Sequence, residues 1–251
     1  KAWNEAQAYL RDLIERDSYV DIAHFNLGMI HEQLNDPEGA LIEYSLVGPG
    51  NEFLAAQAQQ AGILLAQKRP DDARQHLVDA RADQPDYAVQ LYMLEVESLA
   101  ASQYSDLAWQ TARQSLQQFP GDLNLLYSRA MLAEQRNDLG QMERDLRQII
   151  KAEPDNAMAL NALGYTLADR TTRYAEAQTL IERAYRLKPT DPAILDSLGW
   201  IYYRTGNLPD AEKYLQQALQ AMPDAEIAAH LGEVLWMQGK RSEAREIWRQ
   251  A

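Results

Sequence analysis

The sequence predicts an all-α protein, a right-handed superhelical solenoid of tandem helix-turn-helix repeats, with one orphan helix followed by seven repeats. Three observations carry this prediction. In the stretch Asp191 to Pro223, Leu195, Leu198, Gly199 and Tyr202 fall at L-x-x-L-G-x-x-Y. Ala211, Leu215 and Ala218 follow at A-x-x-x-L-x-x-A. Residues three and four apart share a helix face, so each set knits one helix of a pair. Next, prolines at 85, 120, 154, 189 and 223 recur at intervals of 35, 34, 35 and 34 residues. Finally, helix formers dominate the composition, and only 3 of the 251 residues are Phe. Within the reference stretch, Gly199 and Ala211 are small because two helices approach closely there. Gly206-Asn207 supplies the turn, and Pro209 suits the first turn of the next helix.

Moving this pattern along the chain justifies each element in order. Ala6, Leu10 and Leu13 mark a second-helix pattern over Trp3 to Asp17 that has no first helix before it. A first repeat starts near residue 21, with Leu27, Gly28, His31, Ala40 and Tyr44, and Gly48-Pro49-Gly50 predicts a loop at its end. Further repeats start near 54, 89, 123, 157, 192 and 225; the one from 89 is degenerate, with Tyr92, Val96, Leu99, Ala108 and Ala112. The repeat from 157 carries one extra residue between its helices, around Arg170-Thr171-Thr172-Arg173. Ala251 falls where the closing Ala of a second helix belongs, so the chain reads as a fragment of a longer protein. No linker or composition break divides it, and residues 1–251 read as a single solenoid.

Composition excludes several functions. A formal net charge of −13 argues against nucleic-acid binding and favours a basic or mixed protein partner. The absence of cysteine excludes disulfides and thiolate chemistry. No run approaches the roughly 18 apolar residues of a membrane span. His31-Glu32-Gln33-Leu34-Asn35 begins like a zinc-protease motif, but Asn35 stands where the second imidazole must be. His24 and His31 share a helix face at packing positions of the pattern; His76 and His230 are isolated in sequence. Gly48-Pro49-Gly50-Asn51 and Gly239-Lys240-Arg241-Ser242 lack the frame of a phosphate-binding loop and read as turns. Nothing supports catalysis, a metal or a cofactor.

The whole chain resembles the tetratricopeptide repeat, with Leu in place of the usual first Trp and of the later Phe. That resemblance implies that the first helix of each repeat lines a concave face, with positions 2, 5, 9 and 12 pointing into the groove. In the last four repeats positions 5, 9 and 12 include Tyr127, Met131, Asn161, Tyr165, Asp196, Trp200, Tyr203, Glu233 and Trp236. The packing pattern does not require them, and aromatic and Met clusters rimmed by acids suit protein binding. They form the candidate groove, expected to hold an extended or helical segment by apolar anchors and by basic residues meeting Asp196 and Glu233. Family members that clamp a C-terminal carboxylate use Lys and Arg together with Asn. Here Asn161 is present but almost no basic residue beyond Arg204, which argues against such a clamp.

A narrower resemblance rests on Leu160 to Asp169, the insertion after it, Asp196 to Trp200, and Ala228 to Trp236. These stretches resemble proteobacterial outer-membrane tetratricopeptide lipoproteins, above all the adaptors of a periplasmic carboxy-terminal processing protease. The resemblance implies a scaffold at the periplasmic face of the outer membrane that activates the protease and presents cell-wall hydrolases to it. It implies membrane attachment only through an N-terminal lipid anchor outside this chain. A structural or self-associating scaffold of the cell envelope is the alternative that the repeat pattern allows.

Overall fold

The computed structural model describes residues 2–250, so the expectation for Ala251 lies outside the described residues. Among these residues the structure is helical throughout, with fifteen α-helices and one 3-10 turn. The orphan helix is α1 (Ala2–Glu15). The other helices follow in sequence two by two: α2 (Val20–Gln33) and α3 (Pro37–Ser45), α4 (Phe53–Ala66) and α5 (Pro70–Asp83), and α6 (Ala88–Ala101) and α7 (Ser105–Gln118). Then come α8 (Leu123–Gln135) and α9 (Leu139–Ala152), α10 (Ala157–Arg170) and α11 (Tyr174–Leu187), α12 (Pro192–Arg204) and α13 (Leu208–Ala221), and α14 (Ala225–Met237) and α15 (Arg241–Gln250). The first helices of these pairs begin at residues 20, 53, 88, 123, 157, 192 and 225. The chain divides into two compact units, one ending at Leu132 and one starting at Ala133, inside α8.

Inside a repeat, the two helices meet at small residues. A Cβ on Gly199 would lie 2.6 Å from Leu215 Cγ and 3.1 Å from the Ala211 carbonyl, and one on Gly164 would lie 2.6 Å from Ile181 Cγ1. Neither site admits a methyl group without moving α13 or α11. Leu195, Leu198, Ala211, Leu215 and Ala218 are all buried around this contact, as their spacing predicts.

The turn within each repeat has a common build. Asn35, Lys68, Gln103, Asn137, Gly206 and Gly239 take positive φ, between 57° and 86°. The next residue then donates its N–H back into the helix, as from Asn207 to the Tyr202 carbonyl at 2.8 Å or from Arg69 to that of Leu64 at 2.9 Å. This is the glycine-type helix stop, and it satisfies carbonyls that the helix end orphans. The repeat with the insertion departs from it. There Thr171 is extended, and its hydroxyl donates to the Leu167 carbonyl at 2.6 Å while accepting from the Arg173 N–H at 3.0 Å. A threonine side chain thus replaces the left-handed residue. The expected loop after Ser45 is also present, held by the Gly48 N–H donating to Asp21 Oδ1 at 2.7 Å.

In the first unit a buried carboxylate ties three helices together. Glu95 on α6 is 2% exposed. Its Oε1 accepts from Arg74 Nε at 3.2 Å and from the Thr111 hydroxyl at 2.8 Å, and its Oε2 accepts from Arg81 Nη1 at 2.7 Å. Arg81 lies over the Tyr92 ring, 3.9 Å from its centroid. The degenerate repeat thereby replaces some apolar packing with a closed polar network. On α4, Gln57 Oε1 and Gln60 Nε2 are buried without partners among the described residues, and nothing in the structure accounts for them.

Two stability changes follow. Removing one member of a buried ion pair strands the other charges, so Glu95→Ala should lose about 3–5 kcal/mol in urea unfolding, and Glu95→Gln clearly less. Lys68 adopts at φ 60° a conformation that costs an L-residue about 1–2 kcal/mol. Lys68→Gly should therefore gain roughly 0.5–1 kcal/mol in the same measurement, glycine's unfolded-state entropy offsetting the rest.

Candidate protein-binding site

The site residues from Asn161 onward stand on α10, α12 and α14, the first helices of the last three repeats. In these, α12 packs against both α10 and α14. Tyr127 and Met131 belong to α8 in the first unit, where both are half-buried, and burial raises the Tyr127 hydroxyl above its ordinary pKa. Asn161 is half-buried with its Oδ1 unpaired among the described residues.

Asp196 and Trp200 are not the free groove groups that the repeat pattern implies. Each is only 7% exposed. His230, from the next repeat, explains both. Its Nδ1 donates to Asp196 Oδ1 at 2.9 Å, and its ring stacks on the Trp200 indole with centroids 4.1 Å apart and planes 23° from parallel. The expectation that Asp196 meets a basic residue of a partner is thus corrected, because the chain supplies that residue itself. Trp200 is likewise a packing residue of this second unit, and its Nε1 is buried without a partner among the described residues.

Around this centre the rings form a row. Tyr203 lies 5.1 Å from Trp200, Trp200 lies 4.1 Å from His230, and His230 lies 6.2 Å from Tyr165, centroid to centroid. Each end of the row carries an exposed carboxylate. The Tyr203 hydroxyl donates to Glu233 Oε1 at 2.6 Å, and the Tyr165 hydroxyl donates to Glu226 Oε1 at 2.7 Å. Burial and the Glu233 carboxylate push the Tyr203 hydroxyl up to about 12, and burial with Glu226 raises Tyr165 as well, so both remain donors at neutral pH. Trp236 stands apart from the row, half-buried against Trp248 at 5.8 Å with Arg241 and Arg245 over its face.

Arg204 also has internal partners: it donates to the Asp169 carbonyl at 3.1 Å and to the Tyr174 hydroxyl at 2.8 Å. It is committed to its own unit. His24 meets Glu43 and His31 meets Asp36, each at 2.8 Å, as packing histidines would. Among the described residues no cluster of His, Cys, Asp or Glu has the build of a metal site.

His230 and Glu226 are the members that motif reading misses. The signal that finds them is the repeat period. Asp196 and His230 are 34 residues apart, Tyr203 and Glu233 are 30 apart, and Tyr165 and Glu226 are 61 apart. Side chains one or two periods apart are neighbours in a stack, whatever their distance along one helix.

Stacked helix pairs with an aromatic, carboxylate-edged row define an α-helical repeat protein. Sequence profiles of the tetratricopeptide repeat match residues 171–229, and residues 3–47 together with 127–192. The chain belongs to the tetratricopeptide repeat family, whose members generally mediate protein–protein contacts and are generally non-catalytic. It is 62% identical over 214 residues to a TPR repeat-containing protein of Pseudomonas aeruginosa, a match covering 85% of this chain and 36% of that protein. It is 31% identical over 91 residues to bacteriophage adsorption protein A of Escherichia coli K12, covering 36% of this chain and 9% of that one. The chain therefore spans about a third or less of the curated relatives that it matches.

Solved structures agree on the fold. A tetratricopeptide repeat protein of Parabacteroides merdae superposes with a TM-score of 0.61 at 14% identity, covering 78% of each chain. A thermophilic TPR protein of Thermus thermophilus gives 0.58 at 21% identity, covering 64% of this chain and 89% of that one.

The buried Asp196–His230 pair gives a pH dependence with a definite sign. Burial opposes protonation of His230, but the Asp196 bond, reinforced by Glu226 and Asp169, outweighs it and lifts the imidazole above its ordinary value. Burial also raises the Asp196 carboxyl, against the pull of His230. Both shifts mean that the folded chain holds more protons than the unfolded one, so stability falls as pH rises. The His230 contribution is complete below the unfolded histidine pKa of about 6.5 and is lost as pH passes its raised folded value. Urea midpoints should thus be higher near pH 6 than near pH 8.5, and His230→Gln should flatten that difference.

Proposed function

We propose that this chain is a non-catalytic adaptor, a scaffold that binds a periplasmic carboxy-terminal processing protease, activates it and presents protein substrates such as cell-wall hydrolases. The observation that carries the protein-binding part is the row Tyr203–Trp200–His230–Tyr165 with exposed Glu233 and Glu226 at its ends. Tyr203 and Tyr165, fixed by the buried Trp200 and His230 between them, present contact area at small entropic cost, as protein-binding surfaces do. The protease as partner rests on the resemblance of Leu160 to Asp169, Asp196 to Trp200 and Ala228 to Trp236 to the lipoprotein adaptors. The same resemblance supports a location at the periplasmic face of the outer membrane, with attachment through a lipid outside this chain. No described helix is long and apolar enough to cross a membrane.

Adaptor action of this kind is positional. Protease and substrate held on one scaffold gain effective concentration for each other without any new chemistry. Of the candidate groove residues, Tyr203, Glu233, Tyr165, Asn161 and Trp236 are those with accessible surface in the second unit, and Tyr127 and Met131 in the first. Asp196 and Trp200 support the wall from beneath.

A second reading has its own observation. An apolar groove on α1 and α2 is lined by Trp3, Tyr9, Leu10, Met29 and Ile30, and another at the far end of the second unit by Leu219, Leu231, Leu235 and Ile247. Such faces suit a self-associating scaffold of the cell envelope, and a mass that grows with concentration in light scattering would favour that reading.

The adaptor reading is tested with purified protease and substrate. Degradation should rise when this protein is added, and Tyr203→Ala should reduce the rise several-fold with helicity and unfolding midpoint retained. Trp200→Ala is a poor probe, because emptying a site this buried costs about 3–5 kcal/mol and mixes folding with binding. Degradation that is the same with and without the protein would reject the adaptor role.

A further inference from the structure

The two ends of the aromatic row are alike. Each sets a tyrosine ring beside an exposed glutamate that accepts from that tyrosine's hydroxyl. An ionised carboxylate has about four acceptor sites, and the tyrosine takes one. A ring edge-on to a carboxylate with free lone pairs is a favourable seat for a lysine or arginine head group, through both charge and cation–π attraction.

The chain itself shows the chemistry between the seats, where the His230 imidazole stacks on Trp200 and donates to Asp196. Charge is sorted to match. On α10, α12 and α14 the acidic residues are Asp169, Asp196, Glu226 and Glu233, whereas Arg170 and Arg204 stand at the last position of their helices with partners of their own. An independent sign of an unfilled role is Trp200, 7% exposed, whose indole N–H in the middle of the row has no partner among the described residues.

The seats also fix a length. Glu226 and Glu233 lie on α14 seven residues apart. That is two turns, roughly 10 Å along the axis at about 1.5 Å per residue. A peptide extended as a polyproline-II helix advances about 3.1 Å per residue with three residues per turn, so side chains three positions apart share a face and lie roughly 9 Å apart.

We propose that the wall formed by α10, α12 and α14 binds an extended segment of a protein partner carrying two basic side chains three positions apart, one seated at Tyr165–Glu226 and one at Tyr203–Glu233. This rests on reading the wall as a protein-binding surface and goes further by naming the chemistry and spacing of what it holds.

The test uses fluorescein-labelled eight-residue peptides of equal charge, with two lysines adjacent, three apart or five apart in an Ala-Ser background. A peptide with the lysines replaced by norleucine is the uncharged control. Fluorescence anisotropy at low salt should show the three-apart peptide binding most tightly. Glu226→Gln and Glu233→Gln should each weaken it roughly three- to tenfold, and added salt should weaken it further. Both glutamates are exposed, so these variants keep the fold, which circular dichroism verifies.

Equal affinity for all lysine spacings, or no effect of either substitution, overturns the proposal. If the norleucine peptide binds as well and Tyr203→Ala abolishes binding, the two-cation reading falls while the wall stands as a protein-binding surface. If no peptide binds and Tyr203→Ala leaves protease activation intact, both fall.

Discussion

The close approach of the two helices in each repeat is the constraint on which the rest of the structure depends. At Gly199 and Gly164 the partner helix sits where a Cβ would be, so the separation of the pair is set by the absence of one carbon atom. Once that distance is fixed, Leu198 and Leu215 fill the space between, and the turn must reverse the chain within three residues. The left-handed residue at Asn35, Lys68, Gln103, Asn137, Gly206 and Gly239 is the consequence. Four of these six are not glycine. The chain therefore accepts local strain to keep the reversal short, as a repeat stacked between two neighbours requires.

With the pairs fixed, successive first helices stand side by side, and their uncommitted positions come into contact at intervals near one period. That is how Asp196 reaches His230 and Tyr203 reaches Glu233. The same spacing carries ion pairs on the second helices, where Arg147 meets Glu176 and Arg173 meets Glu143 across neighbouring repeats. Those exposed pairs contribute little individually. They matter for register, since a slip by one helical turn would part all of them together.

The fold was legible in the sequence because its determinants are local. Leu-Gly spacings, a closing proline and a turn residue each act within one repeat, and thirty-four residues contain all of them. The turn of the inserted repeat was legible only as an extra residue; that Thr171 would replace a left-handed turn depends on a hydroxyl bond that spacing does not encode. The site was legible in part. Template positions located Tyr165, Tyr203 and Glu233 on the wall, but they treated every non-packing position as equally free. Asp196 and Trp200 are buried because His230 stands one period away, and an imidazole that looks isolated along the chain is central once repeats are laid side by side. Glu95 carries no local signal for the same reason: its partners come from the helices on either side of it.

The two buried carboxylates show how a polar group in a repeat stack divides between architecture and binding. Glu95 accepts from two arginines and a threonine, and its network is closed within the first unit. Its replacement is expected to act on stability. Asp196 sits instead beneath a row of rings that reaches the surface at both ends, beside an indole N–H and an Asn161 carbonyl oxygen that the unit leaves unpaired. Leaving such groups unpaired costs free energy that tighter packing could recover. Local rules that are broken without internal compensation concentrate where a chain interacts with something else. In the second unit they fall on α10 and α12, which supports the proposal that the wall, rather than the second helices, meets a partner.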